Sequence, residues 1–148
     1  MDFKSRVKKE ADTLLDLLIG QCEDLESLLE LSRREHEATA RLEFEEVFRV
    51  TSERATIGER LEVCHRQISD LKGRLGQAAT PIMESETGLK ITELVGTILA
   101  QDQSTAELLS RARTEMIIAK DELGKRQRGL NAYLQEGKMP SVACDQLA

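Results

Sequence analysis

The chain has 148 residues and a formal charge of −6, from 21 Lys and Arg against 27 Asp and Glu. That balance disfavours nucleic acid as the main partner, and three Phe, one Tyr and no Trp give bases little to stack on. A chain of about 150 residues buries roughly 70% of its unfolded surface, so a single core can form without disulfides or metal. Cys22, Cys64 and Cys144 are odd in number and far apart, and Cys22 and Cys64, on apolar helix faces, suit reduced thiols packed as small hydrophobes.

The N-terminus, MDFKSRVKKEADTLLDLLIG, has the basic-then-apolar order of a signal peptide. Glu10, Asp12 and Asp16 interrupt it and no small-residue cleavage site follows, so a cytoplasmic protein is expected. No apolar run approaches the ~18 residues of a membrane span. From Leu14 the apolar residues Leu15, Leu18, Cys22, Leu25 and Leu29 recur three and four apart, widened by Leu14, Leu17, Leu28 and Leu31. This is one broad face of an α-helix. Nine carboxylates and three arginines fall between Cys22 and Glu46, either a solvated helix face or an acidic patch that steers a partner.

The seam loses phase in HEATARLEFEE. Thr39 could cap a new helix, and a turn near Ala38 to Leu42 is favoured over one bent helix, because a straight helix of both runs would reach roughly 100 Å. The second run, Val47, Val50, Arg54, Ile57, Leu61, Cys64, Ile68, Leu71 and Leu75, is a heptad seam interrupted only by Arg54. GQAATPIMESETG reads as a loop, bounded by Gly76 and Gly88 and holding Pro81.

A third seam follows: Ile91, Val95, Ile98, Asp102, Thr105, Leu109, Ala112, Met116, Ala119, Leu123, Arg126, Leu130 and Tyr133. It is the least apolar of the three, and Gly137 and Pro140 should stop it. The expected fold is all-α, an elongated antiparallel three-helix bundle or coiled-coil hairpin. It is one domain over 1–138, with helices at about 5–37, 41–75 and 88–136 and a short mobile tail at 139–148.

Enzyme chemistry finds no foothold. Glu62 and His65 make one ExxH pair, but a di-iron bundle needs two, and Arg33 stands three residues before the other histidine, His36. Leu71-Lys72-Gly73 echoes the HxLKG signature of histidine phosphotransfer bundles, yet Ser69 occupies the position of the phosphorylated His. No cofactor or metal is expected. Met116, Ile117 and Ile118 are consecutive and cannot all face one seam. They form either part of a wide buried face or a surface open to a partner helix.

The order LLDLLIGQCEDLESLLELSRREHEA, a short break, LEFEEVFRVTSERATIGERLEVCHRQISDL, a loop, and QDQSTAELLSRARTEMIIAKDELGKRQRGLNAYL resembles the FlgN-type flagellar export chaperones. The likeness spans roughly Leu14 to Pro140. Members typically carry Gly-Asp at the break, where this chain has Leu42-Glu43 followed by Phe44, Val47, Phe48 and Arg54. The resemblance implies a non-enzymatic cytoplasmic chaperone. It would bind the C-terminal helices of hook-associated proteins, keep them unpolymerised and deliver them to the type III export gate.

By analogy, client contact falls on Val95, Ile98, Leu99, Leu109, Met116, Ile117 and Tyr133. The alternative is a self-associating coiled-coil structural or adaptor protein, and monomer and homodimer both remain open. The basic end of the chain, Lys125, Arg126, Arg128 and Lys138, either pairs with the acidic end of a neighbouring helix or docks to a client or the export machinery.

Overall fold

The structure, a computed structural model, describes residues 2–135. It is all-α, and the described residues contain no strand. The long helices are α1 (Phe3–Ala40), α2 (Phe44–Leu75) and α4 (Glu86–Gln135), with a short α3 (Thr80–Met83) between the last two. The chain divides into two compact units, Met1–Leu108 and Leu109–Ala148. The expected tail at 139–148, with Lys138, Gly137 and Pro140, lies outside the described residues.

In the N-terminal unit, α1 begins at Asp2, whose carboxylate accepts from the Ser5 amide at 3.0 Å. It ends at Ala40 in a Schellman turn: the Leu42 amide donates to the Thr39 carbonyl at 3.1 Å and the Glu43 amide to the Ala38 carbonyl at 2.9 Å. That motif needs a left-handed residue, and Leu42 supplies it at φ 60°. A β-carbon there costs about 1–2 kcal/mol. Thr39 does not cap α2; its hydroxyl donates back to the Glu35 carbonyl at 2.7 Å. α2 carries Glu45 and Glu46 in its first turn and Lys72 and Arg74 in its last, each sign matched to the helix dipole.

The segment read as a loop is wound into helical turns, a 3₁₀ turn over Gly76–Ala79 and then α3. Gly76 takes φ 57° to end α2, and Pro81 sits at the start of α3, where its missing amide is no loss. α4 starts beneath α3. A β-carbon on Gly88 would stand 2.0 Å from the Met83 carbonyl oxygen, so only glycine allows this approach.

Ion pairs and one hydrogen bond fix the directions. Glu10 meets Arg74, Asp24 meets Arg60, and Glu35 meets Arg54, so α1 and α2 are antiparallel. Glu26 meets Lys90 and His36 meets Thr105, so α4 within this unit runs parallel to α1. Three apolar clusters fill the space between. Leu14 and Leu18 pack with Ile68, Leu71, Leu75 and Ala79; Leu25 and Leu29 with Ile98; and Leu31 with Val50 and Ile57. Full burial of each such leucine or isoleucine contributes about 1.5–3 kcal/mol.

The broad faces are phased one residue from the expected seam in two places. Leu14 is fully buried while Leu15 is exposed, and Leu94 packs on the core while Val95 points outward. Cys22 is buried and Cys64 half-buried. Burial pushes both thiols above their ordinary pKa, and the Cys64 Sγ donates to the Leu17 carbonyl at 3.4 Å.

Candidate functional site: an exposed apolar helix face

The N-terminal unit contains a polar layer contributed by three helices. Arg54, the interruption in the second seam, donates to Glu35 Oε2 at 2.9 Å and to Asp102 Oδ2 at 2.6 Å. Burial opposes the Arg54 cation, but the hydrogen bonds to Glu35 and Asp102 outweigh it and raise its pKa above the ordinary value. Beside them His36 Nδ1 lies 3.1 Å from the Thr105 hydroxyl. The layer holds α4 to the α1–α2 hairpin at one height, because sliding by a helical turn would strand these groups without partners.

The acidic stretch is only in part a solvated face. Asp24, Glu26, Glu35 and Glu46 are tied to Arg60, Lys90, Arg54 and Arg34. Exposed apolar side chains in this unit are scattered. Leu42, Phe44 and Phe48 lie at the hairpin turn, and Leu89, Val95 and Leu99 lie on α4. A surface groove of 620 Å³ beside the turn is lined by Glu43, Phe44, Glu45, Glu46 and Arg49. His65 and Glu62 are both exposed on α2. Among the described residues no group of three or more His, Cys, Asp or Glu could hold a metal ion.

Of the client-contact residues expected in this unit, Val95 and Leu99 are exposed. Ile98 is only 6% exposed and packs against Leu25 and Leu29. Ile98 therefore belongs to the core rather than to an open surface.

The C-terminal unit is described through Gln135, and its described residues are all helical. Leu109, Met116, Leu123 and Leu130 stand seven residues apart, so they share one line along the helix. All four are exposed, Met116 by 67% and Leu123 by 59%. Ile117 and Ile118 are exposed too, turned by about 100° and 200° from Met116. Met116, Ile117 and Ile118 are thus not part of a wide buried face among the described residues. Tyr133, also partly exposed, lies three residues beyond Leu130.

The expected contact set contains Leu109, Met116, Ile117 and Tyr133 but omits Leu123 and Leu130. Their signal is the seven-residue spacing itself, which places them with Leu109 and Met116. Of the two readings of the basic end, pairing with a neighbouring acidic helix finds no counterpart: among the described residues Lys125, Arg126 and Arg128 form no ion pair.

No helix among the described residues is long and apolar enough to cross a membrane. In comparisons with known proteins, no family model matches this chain, and neither a curated protein nor a solved structure is significantly similar to it.

Proposed function

We propose that this chain is a non-enzymatic helix-binding protein, a cytoplasmic export chaperone of the FlgN kind. In this reading it holds the C-terminal helices of hook-associated proteins, prevents their premature assembly and brings them to the flagellar export gate. The observation that carries the reading is the uncovered line Leu109, Met116, Leu123 and Leu130. An amphipathic helix with one apolar stripe ordinarily buries it, and a partner helix buries such a stripe in full.

The magnitudes suit a releasable client. Completing the burial of four half-exposed side chains contributes about 4 kcal/mol from this side and a similar amount from the partner's. Association itself costs at least about 4 kcal/mol. The apolar line alone therefore supports binding of about millimolar strength at best. Lys125, Arg126 and Arg128, which form no ion pair among the described residues, would strengthen it toward an acidic client helix.

The test is co-purification of the full chain with C-terminal peptides of hook-associated proteins. Binding is expected, and it should be lost in Met116→Asp and Leu123→Asp variants that keep their helicity. Failure to bind any such peptide at about millimolar concentration would sink the reading.

A further inference from the structure

The exposed line on the C-terminal unit has an internal order of sizes. From Leu109 the positions three and four apart read Leu109, Ala112, Met116, Ala119, Leu123, Arg126 and Leu130. Ala112 is half-buried and the others are exposed. Seams pack when large residues on one helix face small ones on the other.

A second copy of the same helix, laid antiparallel about a two-fold axis at Asp121, meets this condition. Ala112 then faces the partner's Leu130, and Ala119 faces the partner's Leu123. Met116 faces the partner's Arg126, whose aliphatic stem can cover it. By symmetry each pairing occurs twice. The guanidinium of the partner's Arg126 also comes beside Glu115, which precedes Met116 in the chain. Neither Arg126 nor Glu115 has an ion-pair partner among the described residues.

The parallel arrangement fits worse. Every residue would face its own copy, so Ala112 and Ala119 would each leave a void and Arg126 would meet Arg126. In the antiparallel arrangement the unfavourable terms are Lys120 and Glu122 near the axis, which meet like charges. Both are exposed, where such pairs are weak and screened by salt.

We infer that Leu109–Gln135 is a self-pairing surface whose occupant is the same helix of a second copy, antiparallel, with Ala112 on Leu130 and Ala119 on Leu123. The second copy and the proposed client would compete for this face, and the two readings fail separately because pairing is measured on the protein alone.

The experiment is sedimentation equilibrium of the full chain with no peptide added, and a monomer–dimer equilibrium is expected. Leu123→Ala and Ala119→Leu should each weaken dimerisation by about tenfold, whereas the swap A119L/L123A should return it to within about threefold of the parent. Both positions of change, 119 and 123, are on the surface, and unchanged helicity confirms the fold. Orientation is read by cross-linking, in a chain whose three native cysteines are replaced by serine. Ala112→Cys mixed with Leu130→Cys should form the mixed disulfide, and neither alone should cross-link to itself. A monomer still at about 1 mM, the strength this apolar area supports, would overturn the inference. So would a swap no better than its single substitutions, or self-cross-linking at both positions.

Discussion

Leu25 and Leu123 are the same residue type on equally regular helices, yet Leu25 is 6% exposed and Leu123 is 59% exposed. The difference lies in what faces each helix. Around Leu25, α1, α2 and α4 offer apolar side chains at matching heights, and the Arg54 layer fixes those heights. Around Leu123 the described residues of its own unit offer one helix only. A heptad stripe is thus a request for a partner, and two regions of one chain answer it differently.

The sharpest way to test that contrast is to truncate a leucine in each region. Leu18→Ala should cost about 3 kcal/mol, since Leu18 is fully buried in the first cluster. Leu123→Ala, measured where the protein is monomeric, should change stability by less than about 0.5 kcal/mol. Denaturant titration reads both, and a loss above about 1 kcal/mol for Leu123→Ala would erase the contrast.

Next in size is Arg54→Met, which leaves Glu35 and Asp102 facing each other without their shared cation. Those side chains are partly buried, so the cost should be about 2 kcal/mol, between surface and fully buried pairs. Exchange of amides in Ile91–Thr105 should rise with it, because Asp102 is one of the ties that hold α4 in the N-terminal unit. Leu42→Gly has the opposite sign: removing the β-carbon from a left-handed position should stabilise by about 1 kcal/mol, seen as a higher denaturation midpoint.

The smallest effect concerns acid. The hydrogen bond from Lys90 holds the Glu26 carboxyl below the ordinary carboxylate range, and Arg34 does the same for Glu46. A depressed folded-state pKa contributes stability above the unfolded pKa and loses it as pH falls through the folded value. Thermal midpoints should therefore be flat near neutrality and decline once pH drops below the ordinary carboxylate range. Lys90→Met should show less of that decline. Equal declines in the two proteins would break the link.

Much of the fold was legible because period and composition agree along α1 and α2. Val50, Ile57, Ile68, Leu71 and Leu75 lie on the predicted seam and are buried. What misled were broad faces with adjacent leucines. Leu14 and Leu15, or Leu94 and Val95, fit either phase until a neighbouring helix chooses. Arg54 was visible as a flaw in a heptad, but its partners Glu35 and Asp102 come from other helices, which no local pattern can supply. Glycine and proline marked Gly76 to Gly88 as a break without revealing that short helical turns could satisfy its backbone. In the candidate site the exposed residues were recognisable by spacing. Ile98 shares that spacing and differs only in having Leu25 and Leu29 beside it.

The turn at Leu42 bears on how copies of this chain can exchange parts. Leucine is a good helix former, so Arg41, Leu42 and Glu43 could equally continue α1 straight into α2. That relieves the about 1–2 kcal/mol held in the left-handed residue. A straightened chain would lend its α2 to another copy and receive one in return, rebuilding the same apolar clusters between two molecules. Such a domain swap is opposed mainly by the entropy of association. A glycine at position 42 would remove the incentive, so Leu42→Gly is expected to lower any exchange of α2 between copies at high concentration.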